Sequence, residues 1–262
     1  MAFSQEKQSE WSYQWSRLED RNRWLFDDWI FPNRLEDFKG KTVLDAGCGG
    51  GHHVEYVAPV AGRVVGVDLN CPELARQRTA SFRNVDIVEG DVARWSPSDG
   101  TVFDVVYCVG VIHHTDDPDQ TFRHLVRLVR PGGRLIVWTY SEEGNFLNRA
   151  VLEPLKKVFF GFLPRPLLLA VAHAMTVLLY PPVYSVYLLP LRFLPYYDYF
   201  ANFRRLGYRR NMLNVFDKLN APQTHFISES RIRGWFSADL FEDVHVSPYV
   251  GVSWRGSGTR RT

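Results

Sequence analysis

The chain predicts an α/β fold: a doubly wound, mostly parallel sheet with helices on both faces. Three observations predict it. Apolar runs of strand length alternate with helix-length segments from Lys39 to Tyr140, as right-handed βαβ crossovers require. The run VLDAGCGGG, Val43 to Gly51, reads as a buried strand that ends in an acid and a glycine turn. A chain of 262 residues is long enough for one sizeable domain with an insertion.

The elements follow in order. Val43 and Leu44 suit a strand hidden on both faces, and Asp45 sits where its carboxyl end meets solvent. Gly47, Gly49 and Gly51 take backbone angles that other residues avoid and let a ligand approach the main chain. A helix from His52 to Ala58 aims its amino end at the same spot. Such a turn binds a nucleotide-like cofactor at the carboxyl edge of an open sheet. A dinucleotide fingerprint would place a third glycine or an alanine at position 52, where this chain has His52. The pattern present is D-x-G-x-G-x-G. RVVGVDLN, Arg63 to Asn70, reads as a second strand ending in Asp68, an acid placed to accept ribose hydroxyls. VDIVEGDVARW, Val85 to Trp95, reads as a third strand followed by Asp91 and Val92. FDVVYCVGVIHHTDDP, Phe103 to Pro118, is a fourth strand running into a loop. LVRPGGRLIVWTY, Leu128 to Tyr140, is a helix end, a Pro-Gly-Gly turn and a fifth strand. Helices over Pro72–Phe82 and Pro118–Val129 complete the alternation, with Asp116 and Asp117 as caps of the latter.

These five motifs, in this order, resemble class I S-adenosylmethionine-dependent methyltransferases. The likeness is to the small-molecule, methyltransferase type 11-like subgroup with the HH-x-x-DP signature, and it covers about residues 39 to 140. It implies a Rossmann-like sheet of seven strands with the last antiparallel, and S-adenosyl-L-methionine as cofactor. The implied cofactor contacts are Asp45, Gly47, Cys48, Gly49, Asp68, Leu69, Asp91, Val92 and Val109. In the family, the residue at Asp91 faces the adenine amino group and the backbone of the next residue helps hold the ring. Methyl transfer from a sulfonium is an in-line displacement, so the protein supplies position, alignment and exclusion of water. His113 and His114 are candidate bases for an acceptor that must lose a proton, or residues that orient the loop. No metal site is expected. A methyltransferase acting on RNA or protein, or a cofactor-binding member of the fold without turnover, are the competing readings.

Bulk properties bound the rest. Net charge is +2, with 31 basic and 29 acidic residues, so the chain carries no global nucleic-acid footprint. Cys48, Cys71 and Cys108 form no paired framework and no C-x-x-C site, which reads as reduced thiols in the cytoplasm. The polar start MAFSQEKQSEW argues against a signal peptide.

Four regions are expected: an N-terminal helical cap (1–38), the cofactor-binding core (39–140), an apolar and aromatic helical insertion (141–225), and a C-terminal helix with strands that complete the sheet (226–262). Between Pro166 and Leu191 there is no Asp, Glu, Lys or Arg, and Leu167–Tyr180 is continuously apolar. That run is shorter than a bilayer span, and Pro181-Pro182 is expected to break it. A lid over an apolar substrate, a peripheral contact with anionic membrane through 166–191, and a buried hairpin at a homodimer interface all fit this composition. SESRIRGWFSA, Ser228 to Ala238, reads as a capped helix. FEDVHVSPYVGVSWRG reads as two strands joined near Ser247-Pro248, with GSGTRRT as a disordered tail.

Overall fold

Seven strands form one sheet in the order β3-β2-β1-β4-β5-β7-β6. The computed structural model describes residues 11, 13–16 and 22–262; the rest of the expected N-terminal cap, including most of the segment argued not to be a signal peptide, lies outside them. β1 (Thr42–Ala46), β2 (Arg63–Asp68), β3 (Val85–Glu89), β4 (Phe103–Val109) and β5 (Val129–Tyr140) run parallel. β7 (Ser253–Arg260) lies antiparallel between β5 and β6 (Phe241–Tyr249). From β1 the chain winds outward to β2 and β3, then returns to β4 and β5 on the other side. The order therefore reverses between β1 and β4, and the carboxyl ends of those two strands open the crevice where such sheets bind ligands.

Strand alternation sends side chains to two cores. Leu44, Val65, Val106, Leu135 and Val137 pack beneath α4 (Pro118–Leu128) and α9 (Glu229–Trp235). Val43, Val64, Val105, Tyr107 and Ile136 pack on the other face against α1 (Arg23–Ile30), α2 (His52–Val57) and α3 (Pro72–Thr79). α1 is anchored by Phe26, whose ring lies 4.6 Å from His53 and 5.6 Å from Tyr107. Asp117 caps α4 by accepting from the amides of Asp119 and Gln120. Asp116 does not share that role; it accepts instead from the Gln223 amide group. Ser228 caps α9 through Arg231 N.

The insertion folds as α5 (Glu153–Val158), α6 (Arg165–Val183), α7 (Tyr197–Phe203) and α8 (Tyr208–Asn220). Leu168 and Ala172 of α6 pack on Met212, Leu213 and Phe216 of α8, a small core separate from the sheet's. Pro181-Pro182 does not break α6. Each proline removes its own N–H and crowds the turn before it, yet Tyr184 N reaches Tyr180 O at 2.9 Å and closes the final turn past both. The helix is thereby 19 residues, long and apolar enough by length and composition to cross a membrane, which corrects the shorter span expected from the sequence.

Two further expectations at the C-terminus are corrected. The β6–β7 turn lies at Val250-Gly251, not at Ser247-Pro248. Pro248 stays inside β6 because β6 is the sheet's edge, where a missing N–H leaves no neighbour unpaired. The tail GSGTRRT is not disordered: residues 256–260 belong to β7 and pair with both β5 and β6. Gly256 is there for closeness, not freedom. A Cβ on it would lie 2.5 Å from the Phe236 ring. Gly256→Ala should therefore lower unfolding free energy by about 1–3 kcal/mol. Urea denaturation checks this; an unchanged midpoint would show that Phe236 gives way.

Candidate active site

The glycine turn is held by β2. Gly47 N and Cys48 N both donate to Val67 O, at 2.8 and 3.0 Å. Gly49 N donates to the Asp68 carboxylate at 2.9 Å. The other carboxylate oxygen of Asp68 accepts from Asn70 N at 2.7 Å and Cys71 N at 2.9 Å. Gly47, Gly49 and Gly51 all have left-handed φ, at 99°, 50° and 81°. A Cβ on Gly47 would run into the Val111 side chain, and one on Gly49 would meet the Trp15 ring at 2.8 Å.

Two hollows open above this turn. A crevice of about 110 Å³ is lined by Asp68, Leu69, Asp91 and Val92. A larger, mainly apolar cavity of about 690 Å³ extends beneath the insertion, with Val109, Trp138, Tyr140, Met175, Leu179 and Phe200 on its walls. Both are lined by Gly47, Gly110, His114, Trp11 and Trp15, so they meet at the carboxyl ends of β1 and β4. Cys48 lines the larger cavity, and burial pushes its thiol well up, so it stays neutral.

Not every expected contact faces these hollows. Asp45 lines neither: it is 1% exposed beneath the turn and accepts from the Tyr107 hydroxyl at 2.9 Å. Burial pushes its carboxyl up to about 8, against the pull of the Tyr107 bond and with some help from Asp68. Gly49 lies under Trp15, and Val109 belongs to the larger cavity rather than the crevice. The two histidines also part company. They lie in one tight turn, Ile112–His114, that sends successive side chains in different directions. His113 is fully buried, lines neither hollow, and has no hydrogen-bond partner for either ring nitrogen among the described residues. Its ring packs 4.4 Å from Tyr140, and burial drives its pKa well down, which keeps the imidazole neutral. His114 stands at the junction. Its Nδ1 lies 2.8 Å from Gln223 O. A carbonyl only accepts, so Nδ1 carries the proton and Nε2 is left as the acceptor. Burial, opposed by Asp217, holds the imidazole below its ordinary pKa.

The larger cavity also holds a polar cluster that sequence reasoning missed. The Tyr140 hydroxyl donates to Asp217 at 3.0 Å, and Gln14 Nε2 donates to the other oxygen of that carboxylate at 2.7 Å. Lys218 Nζ donates to the Tyr199 hydroxyl at 3.2 Å. Burial opposes the Lys218 charge, but Tyr199 and Asp217 more than offset it and hold the ammonium above its usual range. Asp217 and Lys218 gave no signal because they read as ordinary charges on an amphipathic helix; only the fold turns them inward.

Residues 44–137 match a family model described as a methyltransferase domain. The chain carries a class I S-adenosylmethionine-dependent methyltransferase domain. It is similar to the ubiquinone biosynthesis O-methyltransferase of Aromatoleum aromaticum, 34% identical over 128 residues, which are 48% of this chain and 54% of that protein. A probable S-adenosylmethionine-dependent methyltransferase of Mycolicibacterium smegmatis is 37% identical over 123 residues, 47% of each chain. The chain thus spans about half the length of the curated relatives it matches. A chain in the complex of the Haloferax volcanii Trm112 methyltransferase activator with the putative methyltransferase aligns over 100% of both chains at TM-score 0.58 and 15% identity. An O-methyltransferase family protein from Burkholderia thailandensis aligns over 92% of this chain and 57% of its own at TM-score 0.52 and 18% identity. Those two likenesses concern the fold.

S-adenosylmethionine is the cofactor of this domain, and the residues present fit it. Gly47 leaves bare backbone where a Cβ has no room, Asp68 and Asp91 bring acceptors to the crevice, and Leu69 and Val92 bring apolar walls. Among the described residues no group of three or more His, Cys, Asp or Glu is arranged to hold a metal.

Asp45 gives this turn a pH signature. Its folded pKa of about 8 lies above the ordinary 3.8, so the folded state binds the extra proton between those values. The stability tied to it is complete below about pH 4 and is lost as pH rises through about 8. Thermal melts of cofactor-free Asp45→Asn should accordingly fall less between pH 5 and 8 than those of the parent chain. Parallel pH profiles for the two would show that Asp45 ionises normally.

Proposed function

We propose that the chain is an enzyme that methylates a small apolar or aromatic molecule. The observation that carries this reading is the junction of the two hollows at Gly47, Gly110 and His114. One hollow sets the carboxylates Asp68 and Asp91 among apolar walls, as a nucleoside needs, and the other is a larger, mainly apolar cavity. When bound, S-adenosylmethionine supplies a methyl group on positively charged sulfur. The chain's own residues then have three tasks. Leu179, Met175, Trp138 and Phe200 exclude water and seat an apolar acceptor. Asp217, Lys218 and Tyr140 orient any polar group it carries. His114, with Nε2 free of a proton, accepts the proton from a hydroxyl at the junction. The relative from Aromatoleum aromaticum is named for O-methylation in ubiquinone biosynthesis, which puts hydroxylated aromatic rings first among acceptors to try.

The RNA reading draws less support from the packing. The aromatic part of the run from Tyr196 to Arg210 is turned inward, and its exposed Arg205 is already engaged. Tyr196, Tyr199 and Phe200 line the cavity, and Arg205 stacks 4.0 Å over Trp24. A strand-binding platform would present such groups to solvent.

Calorimetry should detect S-adenosylmethionine binding, weakened about 10- to 100-fold in Asp68→Ala through loss of charge-assisted hydrogen bonds. No binding by the parent chain would refute the reading. With a hydroxylated aromatic acceptor, His114→Ala should cut turnover about 10²- to 10⁴-fold. It should also remove an acid limb that lies below the ordinary imidazole pKa, since only neutral His114 accepts the proton. His113→Phe should keep that limb. Equal turnover in His114→Ala and the parent would place the base elsewhere.

A further inference from the structure

α6 departs from the pattern of a surface helix. Its inner stripe, Leu168, Ala172, Thr176 and Val183, is buried, and Leu168 and Ala172 pack in the small core that α6 shares with α8. Its outer stripe, Leu167, Ala170, Ala174, Val177 and Leu178, is exposed and apolar, Leu178 is 74% exposed, and the single polar side chain on that face, His173, is engaged with the Tyr208 hydroxyl at 3.1 Å. A helix of a soluble domain carries charge on its outer face; one that is apolar all round lies in a core or in lipid. The flanking chain behaves alike. Phe162 and Phe193 are each 81% exposed, and most of the exposed large apolar side chains among the described residues fall between 146 and 193.

Charge selects the occupant. From Pro154 to Tyr197 there is no Asp or Glu. Lys157 and Arg192 stand exposed in that stretch, whereas Lys156 is buried in a 2.6 Å pair with Glu153. We propose that the outer face of the insertion seats on an anionic lipid bilayer. A second copy fits less well. A two-fold contact through this face would set the same cations against each other with no carboxylate from the segment to offset them. The helix lies in the interface instead of spanning it, because spanning would strip its inner stripe from α8 and Met175 and Leu179 from the cavity wall. The insertion thus has lipid on one side and the acceptor cavity on the other. The cavity then takes acceptors dissolved in the bilayer, a consequence that rests on the methyltransfer reading, whereas the docking itself does not.

The test is cosedimentation of the full chain with phosphatidylcholine vesicles, with and without about a third phosphatidylglycerol. Binding is expected to the anionic vesicles, weakened by salt, and reduced at least about tenfold in the double variant Val177→Glu, Leu178→Glu. Both positions are exposed, and calorimetry with S-adenosylmethionine in lipid-free buffer verifies that the variant is folded. Loss of vesicle binding with cofactor affinity intact supports docking. No sedimentation with anionic vesicles overturns it, as does binding that the glutamates leave unchanged. A lipid-free dimer that the glutamates dissociate overturns it in favour of a second copy. Vesicle binding without any cofactor binding would sink the methyltransfer reading and leave the docking surface standing.

Discussion

The carboxylate of Asp68 ties the site together. It stands at the end of β2, nearly buried, and accepts three backbone N–H groups: one from the glycine turn after β1 and two from the start of the next connection. Those amides would otherwise lie unpaired at the mouth of the crevice, where an orphaned donor costs on the order of 1–3 kcal/mol. The same bonds offset part of the burial, which still holds the Asp68 carboxyl above its ordinary value. One side chain thereby fixes the shape of the turn, sets the distance between β1 and β2 at their carboxyl ends, and faces the crevice as an acceptor. Asp45, one strand over, is a carboxyl of the same kind with a single hydroxyl donor, and it sits beneath the turn as structure.

Around that anchor the fold divides labour between two layers. The sheet and its helices build a rigid ledge at the point where the strand order reverses. The insertion roofs it with side chains from α6, α7 and α8, and its own small core keeps the roof in place. His114 joins the two layers. Its ring belongs to the loop after β4, but its Nδ1 proton is held by the backbone of Gln223, at the far end of the insertion. The tautomer that leaves Nε2 unprotonated at the junction therefore depends on a contact 109 residues away.

Much of this was legible in the chain. Strand ends, the glycine turn, Asp68 and the cap at Asp117 are local features, set by spacing, by φ preference and by side chains that reach their own neighbours. The errors came where local signals compete with packing. GSGTRRT has the composition of a flexible tail, yet Gly256 is small so that Phe236 can lie against the strand. Pro181-Pro182 reads as a stop, yet the final turn closes past both prolines through Tyr184 N on Tyr180 O. Pro248 reads as a turn residue, yet an edge strand tolerates it.

By itself the sequence determined the order of the strands, the cofactor turn and the presence of a long uncharged insertion, because each depends on residues close together in the chain. Tertiary structure alone decided which of two adjacent histidines reaches the site, that Asp68 lines the crevice while Asp45 lies beneath the turn, and that Asp217 and Lys218 face a cavity. It also decided that α6 buries one apolar stripe and leaves the other bare. These are questions of which face a side chain presents. A helix or strand shows all its faces in sequence, and only the partner packed against it selects one.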